Sequence, residues 1–140
     1  MGKADEVDPL AHMMATATGW GLQPRSEAMY FRGYPDRNDG KAVHSMTLRD
    51  VPVDAFWSVT VYNREGYFDK NPLDAYSINS VTAEKDTEGA VTIQFGDCDG
   101  KIPNCLPIMD GWNYSLRLYR PHDVVRNGQW KPPVPQPVTR

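Results

Sequence analysis

Hydrophobic and polar positions alternate most regularly over residues 55–63. Phe56, Ser58, Thr60 and Tyr62 fall on one side of an extended chain, and Trp57, Val59 and Val61 on the other. β-Branched and aromatic residues at period two mark a strand in a packed sheet, so this stretch is expected to be a central strand. Arg64-Glu65-Gly66 then turns the chain. The cluster that follows, Tyr67, Phe68, Asn71 and Tyr76, fits no helical period. It reads as an ordered loop packed over one end of the sheet.

The same alternation picks out the other strands. Residues 28–34 (AMYFRGY) form one. In residues 42–48, His44, Met46 and Leu48 oppose Val43, Ser45 and Thr47. Residues 75–82 make a short strand. Residues 90–96 turn Val91, Ile93 and Phe95 inward. Residues 113–120 set Tyr114, Leu116 and Leu118 against Ser115, Arg117 and Tyr119. Between them lie turn signals. Asp39-Gly40 is a strong hairpin dipeptide between the first two strands, and the charged, Gly-ended segment 84–89 reads as a hairpin tip. One helix is expected over residues 8–18, where Leu10, Met13, Met14 and Ala17 share a face, Asp8 is the N-cap and Pro9 takes the first helical position. Residues 122–125 suit a single helical turn, Trp130 an anchor, and the proline-rich segment 131–140 an extended tail.

Many short strands with frequent turns and no strand–helix alternation exclude a parallel α/β fold. The expected class is mainly β: an antiparallel β-sandwich, jelly-roll-like or an open barrel, with one short N-terminal helix and a Pro-rich C-terminal tail. A chain of 140 residues fits a single domain, with the sandwich core over residues 28–121. Such a length buries roughly two-thirds of the unfolded surface, so folding requires no metal.

Composition narrows the function classes. A net charge of −3 without a Lys/Arg-dense run argues against nucleic acid. No apolar run approaches the ~18 residues of a membrane span. The polar start, Met1-Gly2-Lys3-Ala4-Asp5, has no apolar h-region behind it. The chain is then cytoplasmic or the mature part of an exported protein, with the exported or periplasmic reading preferred. Cys98 and Cys105 flank a loop in DCDGKIPNC. Two ligands do not make a structural zinc site. Either a disulfide closes the loop, stabilising by about 2–3 kcal/mol, or two reduced cysteines flank it.

Few residues announce chemistry. The histidines are His12, His44 and His122, and no G-x-S-x-G elbow accompanies them. Asp54, Asp69, Asp74, Asp97 and Asp99 sit in or beside turns, where aspartate bonds local amides. Asp97-Cys98-Asp99-Gly100 lacks the later glutamate of a calcium loop, and Gly19-Trp20-Gly21 follows a helix, unlike a dinucleotide fingerprint. No metal and no cofactor is implied. What remains is a polar–aromatic set: Trp57, Tyr62, Asn63, Tyr67, Asn71, Tyr76, Arg117 and Arg120, with Asn79, Trp112 and Tyr119 nearby in the same elements. Flat rings beside Asn and Arg suit sugars, small aromatics or peptide segments. The bland alternative places the rings in the core and pairs the arginines with loop carbonyls or Asp.

Several runs together resemble a known family: NDGK at 38–41, DVPVDAFWSVTVYN at 50–63, the GYF and YSIN motifs beyond it, and CDGKIPNCLPIMDGWNYSLRLYRP at 98–121. In this order they are similar to the bacterial family catalogued as domain of unknown function 1214. The resemblance implies a largely β domain akin to the C-terminal half of larger two-domain proteins, which often carry a second domain upstream and an export signal. It implies no chemistry. Three kinds of function are therefore expected in turn: a non-catalytic module binding a small molecule or peptide, a hydrolase-type enzyme with an Asp/His/Tyr site, and a domain that self-associates into a homo-oligomer through an edge strand or its tail.

Overall fold

Period-two alternation becomes strand at every long stretch where the sequence carries it. A computed structural model describes residues 25–138; the helix expected over residues 8–18, His12 and Trp20 lie outside them. The elements are β1 (Ala28–Gly33), β2 (His44–Leu48), β3 (Trp57–Tyr62), β4 (Ser77–Asn79), β5 (Val91–Phe95), β6 (Cys105–Leu106), β7 (Asn113–Tyr119), α1 (Asp123–Arg126) and β8 (Gln136–Pro137). They form two four-stranded sheets, ordered β1-β7-β3-β4 and β6-β5-β2-β8. All pairings are antiparallel except β5 with β6. The described strands make two open sheets, and neither closes into a barrel.

One core lies between the sheets. Trp57, Val59 and Val61 from β3 and Tyr114, Leu116 and Leu118 from β7 meet Met46 and Leu48 from β2 and Val91, Ile93 and Phe95 from β5. Each such side chain contributes about 1.5–3 kcal/mol on burial. That gain sets the register, because a slip of one residue would turn each apolar set toward solvent. On the other side of the first sheet Thr60 and Tyr62, opposite in sense to the core residues, are also buried, while Tyr30 and Arg32 on the same face are exposed.

The expected hairpins are replaced by crossings. Asp39-Gly40 does not join paired strands, since β1 pairs β7 and β2 pairs β5. The segment 84–89 likewise carries the chain from β4 in one sheet to β5 in the other. The turn chemistry is nonetheless real. The Asp39 carboxylate accepts backbone hydrogen bonds from Lys41 and Ala42, both at 2.9 Å. Asp86 accepts from Glu88 and Ala90, and Asp99 from Lys101 and Ile102. These bonds favour the ionised form and hold all three carboxyls below their ordinary value. Gly40 has φ +76°, and a Cβ there would stand 2.6 Å from the Asp110 nitrogen.

Two short strands arise where no alternation predicts them. β6 lies at the end of the cysteine loop, which a disulfide between Cys98 and Cys105 closes. β8 lies in the proline-rich segment and pairs with β2 at His44↔Pro137 and Ser45↔Gln136. Proline is tolerated there because β8 is an edge strand, with one side free of ladder bonds. The single turn α1 is followed by Trp130, whose ring meets Phe31 edge-on at 6.4 Å.

Candidate functional site

The outer face of the first sheet is built from three strands in register. Tyr30 on β1 lies opposite Arg117 on β7, which lies opposite Ser58 on β3. In the next row of the same face Arg32 lies opposite Ser115, and Ser115 opposite Thr60. Small hydroxyl side chains on β7 and β3 leave room for the long arginines to lie across the sheet. Tyr62 follows at the end of β3.

Both arginines reach Tyr62, one at its hydroxyl and one over its ring. The Arg117 guanidinium donates through Nη2 to the Tyr62 hydroxyl at 2.6 Å, and its Cζ lies 5.9 Å from the Tyr30 ring centre. Arg32 sits over the Tyr62 ring, with Cζ at 5.7 Å from the centre, a distance at which a cation is attracted to the ring face. Neither Arg32 nor Arg117 pairs with a carboxylate among the described residues. Tyr62 then begins a stack: its ring lies 5.5 Å from Phe68, and Phe68 lies 5.0 Å from Tyr76, all close to parallel. A hydrogen bond to the Asp74 carboxylate, with some burial, raises the Tyr76 phenol above its ordinary value and keeps it protonated.

The loop that brings Phe68 back over β3 is held by asparagines. Asn63 accepts from the amides of Glu65 and Tyr67 and donates to Asp69 at 2.7 Å. Asn71 accepts from Leu73 and Ala75 and donates to the Ala75 carbonyl. Asn79 caps the turn after β4 by accepting from Val81 and Thr82. Their side chains are thus engaged in shaping loops.

Of the residues singled out in the sequence, the structure brings together Tyr62, Tyr76 and Arg117. Trp57 instead faces the core and is 5% exposed, and Trp112 is fully buried against Phe95 and His44. Their apolar area is worth more between the sheets than at a rim. Tyr67 is exposed and outside the stack. Tyr119 stacks on Phe56 at 4.4 Å. Arg120 lies beyond the far end of β7, in a polar cleft with Glu27, Asp54, His122 and Arg126. Sequence reasoning passed over Tyr30 and Arg32. Their alternation was visible, but only the β1–β7 pairing reveals that they share a face with Arg117.

The histidines separate. His44 is buried, with Nδ1 donating to the Ala42 carbonyl at 2.8 Å, and has no route to a ligand in solvent. His122 meets Asp54, Nε2 to Oδ1 at 2.7 Å, with both side chains about half exposed. No group of three His, Cys, Asp or Glu side chains suited to a metal ion occurs among the described residues, and no described helix is long and apolar enough to cross a membrane.

Comparison with known proteins agrees with the resemblance carried by the motifs. A family model described as protein of unknown function (DUF1214) matches residues 27–123. No curated protein matches. Among solved structures, the VPA0106 protein of Vibrio parahaemolyticus is similar over 90% of this chain, at 26% identity and a TM-score of 0.78. An uncharacterised protein of Burkholderia cenocepacia is similar over 84%, at 17% identity and a TM-score of 0.59, a likeness of fold. The chain spans about a third of the length of both, 34% and 31%.

Proposed function

The chain belongs to the family described as protein of unknown function (DUF1214), and we propose that it is a non-catalytic binding module whose ligand rests on the outer face of the first sheet. One observation carries this reading. Arg32 and Arg117 both lie on Tyr62, next to the partly exposed rings of Tyr30 and Phe68, and neither guanidinium has a carboxylate partner among the described residues. A structural arginine normally ends on an acid or on carbonyls. Here the donors end on a ring face and a phenol, and the rings are not fully buried. Flat apolar surface with directional donors is the composition of a recognition site.

Fragment screening by amide chemical-shift mapping tests this. Ring-bearing fragments are expected to shift the amides of β1, β7 and residues 62–76. Shifts that are absent, or confined to the second sheet, would rule out this face.

A second reading is favoured by one contact. Asp54 orients the His122 imidazole as a carboxylate orients a general base. No hydroxyl or thiol contacts that ring among the described residues, so the base would act on water or on a substrate group directly. Hydrolysis of p-nitrophenyl acetate distinguishes the readings. A rate unchanged by His122→Ala ends the catalytic one.

A further inference from the structure

We infer that the outer face is a carboxylate clamp, and that its ligand is a small aromatic carboxylic acid; this rests on the binding role proposed above and names the ligand of that site. The argument begins with the proton on Tyr62. Because Arg117 donates to the Tyr62 oxygen at 2.6 Å, that oxygen acts as the acceptor. The phenolic proton is left to be given elsewhere. Tyr62 is 9% exposed, so its hydroxyl is held in place by packing and offers its proton in a fixed region.

Two positive charges stand on Tyr62. Arg117 reaches its hydroxyl from β7, the strand beside β3, and Arg32 lies over its ring from β1, the next strand out. Two guanidinium groups in contact with one tyrosine put two positive charges on the same face. Within the described residues the face supplies no carboxylate to them. A carboxylate ligand meets every requirement at once: it accepts the phenolic proton, accepts the planar fork of a guanidinium, and neutralises the like-charge pair. The chain as a whole carries a charge of −3, so this face is positive against the balance of the molecule.

The rest of the ligand is set by the rings. Tyr30 and Phe68 are exposed at 41% and 54% and flank the charged centre on its two sides, Tyr30 through Arg117 and Phe68 through Tyr62. Because Phe68 is already stacked between Tyr62 and Tyr76, a planar ring bearing the carboxyl group lies against the exposed edge of one of these rings, with its polar end on Tyr62. An aliphatic acid would leave this apolar surface in water. A sugar would find the nearby asparagines, Asn63 and Asn71, already engaged in shaping the loop.

Calorimetric titration with benzoate, benzamide and acetate decides the matter. Benzoate is expected to bind at least tenfold tighter than either benzamide, which keeps the ring, or acetate, which keeps the charge. Arg32→Ala and Arg117→Gln should each weaken benzoate about tenfold or more and leave benzamide unchanged. Tyr62→Phe should weaken benzoate while preserving the ring stack. Arg32 lies on an edge strand and is exposed, so its variant folds even if the β7 variant does not. Equal affinity for benzoate and benzamide, or an Arg32→Ala protein that binds benzoate as wild type does, overturns the clamp and leaves a ring-binding face. Failure of all three probes overturns the clamp, and the fragment map above then decides whether the face binds anything.

Discussion

A methyl group at position 40 would stand 2.6 Å from the Asp110 nitrogen and 2.6 Å from the Met109 carbonyl carbon, and the backbone there has φ +76°. Both neighbours are main chain and cannot swing aside. Gly128 has a similar φ of +81° with nothing within 4 Å. The pair separates conformational strain from steric conflict. Gly128→Ala should cost about 1–2 kcal/mol, the penalty of the left-handed region. Gly40→Ala should cost at least ~2 kcal/mol more, from forced backbone movement. Urea unfolding of the two variants measures both. Gly40 was readable from sequence as part of a turn, through Asp39 before it. Its packing partner, some seventy residues away, was not, because no local pattern encodes it. Trp57 teaches the same thing from the other side. Its alternation with Ser58 and Val59 foretold a strand and placed it opposite Tyr62 correctly. Which of the two faces would carry the core depended on what the second sheet supplied.

Elements form where side chains alternate, and they are joined where carboxylates hold turns. The depressed values of Asp39, Asp86 and Asp99 lie below the ordinary 3.8. A carboxyl depressed in the folded state contributes stability that is fully present above its unfolded value and is lost as pH falls through its folded value. Unfolding midpoints in urea should therefore hold steady above about pH 5 and fall as the medium is acidified below about pH 4. A triple Asp39→Asn, Asp86→Asn, Asp99→Asn variant keeps the carbonyl acceptors and loses the titration, so its acid slope should be shallower. An identical slope would show that other groups dominate. At this scale the sequence was most legible: β1, β2, β3, β5 and β7 fall within the stretches marked by period-two alternation. β6 and β8 were not legible, because strands of two residues are too short for alternation to register. Their existence is set by the neighbours β5 and β2. Asp39-Gly40 misled as a hairpin because the dipeptide specifies a backbone turn and says nothing about which strand the chain meets after it.

For the whole molecule, pairing order matters more than strand identity. The candidate face exists because β1 and β7, distant in sequence, lie side by side. That is why Tyr30 and Arg32 escaped a reading made along the chain. The edges follow from the same order. β8 covers the side of β2 that β5 does not. Removing residues 134–140 should uncover that ladder and leave the core intact, lowering stability by about 1–2 kcal/mol and exposing open amides to other copies. Light scattering is expected to show concentration-dependent association that exceeds wild type. A truncated protein with wild-type mass at every concentration would mean that β8 protects nothing.

The alternation of sheets along the chain has one more consequence. β1 and β3 belong to the first sheet, β2 between them to the second, and β7 later inserts between β1 and β3. A protease cutting at the exposed Tyr67 would give two pieces, one with β1 to β3 and the other with β4 to β8. Neither piece owns a complete sheet, and each is laced through the other like fingers of two hands. The nicked molecule should therefore migrate as a single species under native conditions and come apart only on denaturation.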